Sequence, residues 1–251
     1  SFPSNLGVTA SPEEAFRDAD LVVLAVPSRT FRDNACIVSG SLTDSTVVVS
    51  ATKGLELGTG KRMSQILEEE LAAELRTNIC ALSGPNLVRE IIQGKPSSTV
   101  IASREPDARG RAQEIVNSNR FRVYTNEDIV GVELAGALKN IIALGAGICD
   151  GMGYGDNAKA AFMTRGLAEI ARLGEALGAH SLTFAGLAGM GDLVATCSSS
   201  LSRNHYVGMQ IAMGKTLQEI QASMDNIAEG IDTTSAAVAM AGNAGIEMPI
   251  T

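Results

Sequence analysis

Short apolar runs and amphipathic stretches alternate along the first half of the chain. Residues 21–26 (LVVLAV) are continuously apolar and end at Pro27, and residues 47–51 (VVVSA) form a second run ahead of Thr52-Lys53-Gly54. Residues 79–82, 99–102 and 121–124 supply three more. Short apolar runs without strict polar alternation predict strands covered on both faces. Between them, Ser11-Pro12-Glu13-Glu14 offers an N-cap, a first-turn proline and acidic residues suited to a helix dipole. Residues 61–76 place Met63, Ile66, Leu67, Leu71 and Leu75 on one side, predicting a helix, and Pro106 opens another that reaches Val116. Strand and helix in alternation predict an α/β sheet, largely parallel.

From about Asp128 the strand-like runs cease. Helical patterns cover residues 128–149, 157–178, 203–213, 216–224 and 233–243, broken by glycine-rich stretches at 151–155 and 186–191. The predicted organisation is an α/β domain over residues 1–127 followed directly by an all-helical domain over 128–251. Two domains that meet without a linker make a cleft, a common place for ligands.

Composition narrows the function. Of 251 residues, 45% are hydrophobic and 19% charged, enough for a full core, which excludes disorder. A formal charge of −8 argues against a nucleic-acid or membrane-surface binder. The apolar stretches are interrupted by Lys139, Asp150 or glycine, so no membrane span is expected. Cys36, Cys80, Cys149 and Cys197 form no CxxC or Cys/His cluster and read as reduced thiols of a cytoplasmic protein. His180 and His205 lack partners in the sequence for a triad or metal site and read as structural. Both ends of the chain, at Ser1 and just after Met248-Pro249-Ile250, read as cut.

In an open parallel sheet, ligands collect beyond the carboxyl ends of the strands. Those ends here are Val26-Pro27-Ser28, Ala51-Thr52-Lys53-Gly54 and Ser83-Gly84-Pro85-Asn86, with Lys53 the only charge among them. Lys139 shares a helical face with Val132, Ala135, Gly136, Ile142 and Ala143. A lysine on such a face is costly unless paired, and desolvation lowers its pKa toward useful proton exchange. A snorkelling stem is the bland alternative. Asp192, after Ala188-Gly189-Met190-Gly191, reads as a turn residue or helix N-cap placed to pair with Lys139. Residues 198–202 followed by Arg203-Asn204 read as a helix start suited to phosphate, or as a capped serine-rich loop. Gly145, Gly147 and Gly151 follow a helical pattern, not a strand, so they read as a helix end rather than a dinucleotide loop.

These residues, in this order, resemble the bacterial NAD(P)-dependent sn-glycerol-3-phosphate dehydrogenase family. The matching segments are VVLAVPSRTF (22–31), SATKGLE (50–56), LSGPN (82–86), GVELAGALKNIIALGAG (131–147) and MTRGLAE (163–169). GMGDLVATC (189–197), SRN (202–204), AEG (228–230) and EMPIT (247–251) complete the set. The resemblance implies a Rossmann-type domain, N-terminally truncated, and a helical domain like the C-terminal one of 6-phosphogluconate dehydrogenases. It implies hydride transfer between NAD or NADP and glycerol 3-phosphate or dihydroxyacetone phosphate. Lys139 is then the proton acceptor and donor, with Lys53 and Asp192 completing the catalytic set. Gly84, Asn86, Ser202, Arg203 and Asn204 join those three at the substrate, while Lys53, Val88, Arg203, Ile227 and Glu229 face the dinucleotide. A role in phospholipid backbone supply follows from the resemblance, and a homodimer is expected from excess apolar surface on the helical domain. Three departures stand out. Asn86, Leu87 and Val88 replace a usual hydroxyl residue, Phe and Ala; the glycine-rich loop and the residue that selects NAD or NADP are absent; and the family's last helices are missing. The competing readings are a related 3-hydroxyacid or 6-phosphogluconate-type dehydrogenase and a non-catalytic dinucleotide-binding protein.

Overall fold

The computed structural model describes residues 5–224 and 228–251. Its first half builds one sheet from β1 (Leu21–Leu24), β2 (Val47–Ser50), β3 (Ile79–Ser83), β4 (Ser97–Ala102) and β5 (Phe121–Asn126), ordered 1-2-3-4-5. The helices α1 (Pro12–Phe16), α2 (Phe31–Ser39), α3 (Met63–Glu70), α4 (Val88–Ile92) and α5 (Pro106–Val116) lie between and beside the strands. Beyond them run α6 (Ile129–Gly151), α7 (Gly155–Ala176), α8 (Ser181–Ala185), α9 (Asp192–Ser198), α10 (Arg203–Ala212), α11 (Leu217–Ala222) and α12 (Gly230–Ala244). The α/β sheet followed by helices agrees with the expected fold class.

The sheet is less uniform than the apolar runs predict. Strands β1, β2 and β3 are parallel, as are β4 and β5, but β4 runs antiparallel to β3, pairing Ser83 with Val100 and Ala81 with Ala102. That reversal lays Thr99 beside the carboxyl end of β3. The helix predicted over 61–76 also stops early. Three consecutive glutamates fill its last turn, where the dipole disfavours negative charge. Leu71 turns extended, and a 3₁₀ turn over Ala73–Asn78 carries the chain on, keeping Leu71 and Leu75 buried.

The 23-residue α6 is the axis of the second half. By length and composition it resembles a membrane span, but 83% of its most apolar window is buried inside the protein, so it is a core helix. Asp128 caps it, accepting from Gly131 N at 2.8 Å, and also accepts from His180 N and Thr183 Oγ1. Glu133 accepts from Ser64 N at 2.7 Å and from the Arg62 guanidinium, tying α6 to the start of α3. Gly145 and Gly147 lie inside α6, which ends at Gly151 as the glycine run suggests, and the turn comes at Gly153 and Gly155, both with positive φ.

Gly147 of α6 and Gly208 of α10 let these two helices touch backbone to backbone. A Cβ on Gly208 would overlap the carbonyl of Leu144, and one on Gly147 the carbonyl of His205. Gly208→Ala is therefore expected to destabilise the protein by about 2 kcal/mol, the overlap exceeding the gain of about 1 kcal/mol in helix propensity. The corresponding fall in Tm, about 4–8 °C, is read by calorimetry.

Candidate active site

The centre of α6 carries Lys139, 6% exposed, on the face it shares with buried Val132, Ala135, Gly136, Ile142 and Ala143. Its Nζ donates to Asp192 Oδ1 at 2.7 Å and to the hydroxyl of Thr196. Lys53 arrives from the loop after β2 and donates to the other carboxylate oxygen, Asp192 Oδ2, at 2.6 Å and to the Gly84 carbonyl at 2.8 Å. One buried carboxylate thus bridges two ammonium groups drawn from opposite halves of the molecule. Two cations and one anion leave a net positive charge in a dry setting, which suits an anionic or oxyanionic ligand. Burial pulls the Lys139 ammonium down to about 8, with the Lys53 charge acting in the same direction and Asp192 opposing both.

Asp192 is not the loop residue its glycine-rich approach suggests. Residues Leu187–Gly191 wind as a π-helical turn that runs directly into α9, making Asp192 the first residue of that helix. Thr196 follows one turn later, on the same face. Sequence reading missed Thr196, because the stretch 192–198 was not recognised as helical; an Asp and a Thr four apart are the signal that would have found it.

Gly136 allows the lysine helix to approach the sheet. A Cβ there would overlap Ser83 Oγ at the end of β3 and lie 3.7 Å from the stem of Lys53. Three buried polar atoms without hydrogen-bond partners, Ser50 Oγ, Ser83 Oγ and Asn86 Oδ1, belong to the ends of β2 and β3 and the loop that follows. Buried polar groups are normally satisfied, so three such atoms at the strand ends, where ligands collect in a sheet of this kind, stand out.

Ser202 caps α10, accepting from His205 N at 3.2 Å, and Arg203 opens the helix with an exposed side chain. Asn204 is buried and accepts from Gly230 N at 3.0 Å, which docks the start of α12 onto the start of α10. Glu229 accepts from Ser28 N at 3.3 Å, and burial raises its pKa while Arg203, Lys53 and Lys139 pull the other way. The structure brings Lys53, Gly84, Lys139 and Asp192 into one hydrogen-bonded unit. Asn86, two residues after Gly84, is bonded to Thr99 instead. Val88 begins α4 with its side chain exposed, and no contact of it with the lysines is seen. Ile227 lies outside the described residues. His205 bonds to Asp150 at 2.6 Å, a carboxylate that Lys159 also engages.

A parallel-strand unit that meets a helical half at a buried, carboxylate-bridged lysine pair, one lysine from each, fits a dinucleotide-dependent dehydrogenase. Family descriptions of the NAD-dependent glycerol-3-phosphate dehydrogenase N-terminus and C-terminus match residues 1–109 and 128–251. A glycerol-3-phosphate dehydrogenase [NAD(P)+] of Dehalococcoides mccartyi is 54% identical over 250 residues, covering all of this chain and 70% of the relative. That of Prosthecochloris aestuarii is 46% identical over 251 residues, again covering all of this chain and 76% of its own length. The crystal structure of glycerol-3-phosphate dehydrogenase from Coxiella burnetii superposes with a TM-score of 0.93 at 34% identity, covering 99% of this chain and 75% of that one. The chain belongs to the NAD-dependent glycerol-3-phosphate dehydrogenase family.

Proposed function

We propose that the chain interconverts sn-glycerol 3-phosphate and dihydroxyacetone phosphate with NAD or NADP, and that Lys139 moves the proton. The observation that carries this reading is the buried Lys139 amine, hydrogen-bonded to Asp192 and sharing it with Lys53. In oxidation the neutral amine accepts the proton of the C2 hydroxyl; in reduction the ammonium returns it to the carbonyl oxygen. Lys53 and the protonated Lys139 stabilise negative charge on that oxygen, and Asp192 holds the two nitrogens in place. The start of α10, with its free backbone N–H groups, Ser202, Arg203 and Asn204, suits the substrate phosphate, while Gly84 and Asn86 border the carbon skeleton.

The partnerless polar atoms at the ends of β2 and β3, and Gly54, against which Ser28 packs, fit a nicotinamide end approaching the sheet. Lys53, Val88, Arg203, Ile227 and Glu229 are the residues assigned to hold it. The cofactor, when bound, gives or takes the hydride. We divide the chain into a dinucleotide domain over 1–127 and a substrate domain over 128–251. The free thiols support a cytoplasmic setting, the reaction supports a place in lipid synthesis, and exposed Val238, Met213 and Tyr154 on the helical half support a homodimer.

The test is NADH and NADPH oxidation with dihydroxyacetone phosphate, run beside the reverse reaction with 3-hydroxyacids and 6-phosphogluconate. Faster turnover of the acids would replace this assignment. The pH dependence is a second check. With the Lys139 ammonium titrating near 8, oxidation of glycerol 3-phosphate should rise with pH and level off above about 8. Reduction of dihydroxyacetone phosphate should be flat below that value and fall above it, because it needs the protonated form.

A further inference from the structure

We infer that Thr99 is a specificity-determining positioning residue: it holds the amide of Asn86 so that its carbonyl oxygen, rather than its NH₂ group, is offered to the substrate's free terminal hydroxyl. The inference rests on the functional reading above and deepens it. Thr99 is fully buried on β4, the strand that runs against β3. Its hydroxyl donates its single proton to the Ser83 carbonyl at 3.1 Å, and a carbonyl can only accept. The hydroxyl's lone pairs are what remain for Asn86, and Asn86 Nδ2 donates to them at 2.8 Å. Turning the amide over would make Thr99 swing its one proton from the Ser83 carbonyl to Asn86 Oδ1 and give up the bond at 3.1 Å, so the network favours the amide as it stands.

The consequence is an acceptor without a donor. Asn86 Oδ1 is buried and has no partner. Its residue follows two positions after Gly84, whose carbonyl holds Lys53 Nζ at 2.8 Å. A backbone constraint keeps the loop there: Gly84 has φ +152°, and a Cβ on it would lie 3.0 Å from Thr99 Cα. An unpaired buried acceptor is unfavourable until a donor reaches it. The hydroxyl at the carbon distal to the phosphate supplies that donor. A carboxylate at that carbon cannot, because two acceptors would face each other, and this excludes substrate acids from the site. The paired Asn86–Thr99 arrangement is what achieves the selection.

Titration calorimetry with dihydroxyacetone phosphate and with hydroxyacetone phosphate, which lacks only the terminal hydroxyl, tests the inference without turnover. Wild type should prefer the hydroxyl-bearing ligand. Thr99→Val should lose about fivefold to tenfold of that preference, one hydrogen bond's worth, while binding the deoxy ligand as before. Thr99→Ser keeps the hydroxyl and should retain the preference; Asn86→Ala should lose it, and adding Thr99→Val to Asn86→Ala should lose no more. Thr99→Ala provides a smaller parallel variant should the valine disturb the fold. Phosphohydroxypyruvate, with a carboxylate in place of the hydroxymethyl group, should bind Thr99→Val better relative to wild type, since the freed amide can turn its NH₂ outward. An unchanged preference in folded Thr99→Val, or an equal loss of affinity for both ligands, would overturn the inference. Failure of wild type to bind or reduce dihydroxyacetone phosphate would instead overturn the functional reading.

Discussion

Lys139→Met should lower turnover in both directions by about 10²- to 10⁴-fold, the range a positioned general acid–base supplies, with the KM for glycerol 3-phosphate little changed. Methionine nearly matches the volume of the lysine stem and fits the apolar face of α6, so the variant should fold. Circular dichroism beside steady-state kinetics checks both halves of that expectation. Full activity would remove Lys139 from the mechanism. The substitution also has a thermodynamic signature. The amine titrates at about 8 in the folded protein against 10.5 for an ordinary lysine, so between those values the unfolded chain binds the extra proton. Stability of the wild type therefore gains a component that rises as pH climbs from about 8 to 10.5, and this component should vanish in Lys139→Met. Urea unfolding at several pH values measures it.

Asp192→Asn is the second large effect expected. Asp192 is 2% exposed and holds Lys53 and Lys139 on its two oxygens. Asparagine keeps the shape, yet it removes the negative charge and turns one acceptor into a donor aimed at an ammonium group. Breaking a buried ion pair from one side costs about 3–5 kcal/mol. Part of that loss is avoided because Lys139 can shed its proton. Its pKa should fall below the present value, and the pH profile for oxidation should move to lower pH. Turnover should drop about 10²-fold or more, since the nitrogens are no longer held in register. Normal turnover with an unshifted profile would discard the bridge as a catalytic element.

Much of the site was legible along the chain. The helical period around Lys139 already put a charge among Val132, Ala135 and Ile142, and that face is buried. The serine-rich stretch before Arg203 ended in a capping residue, Ser202, as its composition suggested. Pro106 and Val116 bound α5 as expected. Other features left no such trace. Nothing in the apolar run at residues 99–102 distinguishes a parallel strand from the antiparallel one it forms, because both bury two faces. The π turn at Leu187–Gly191 reads as a glycine-rich loop, since glycine's low helix propensity is overridden there by packing. Gly189 lies so close to the Phe184 backbone that a Cβ would overlap it. The pairing of His205 with Asp150 joins residues 55 apart, brought together by the glycine contact between α6 and α10.

Local order thus came from the chain itself: periodicity, capping residues and breaks specify which segments are strands or helices and which side of each faces inward, because those choices depend on neighbours a few positions away. The meeting of Lys53 with Asp192 across 139 positions, the reversal of β4, and the bond between Asn86 and Thr99 were decided only in three dimensions. Each depends on close approach between distant segments. Such approach is set by the packing of whole helices and strands against one another, which no local pattern encodes.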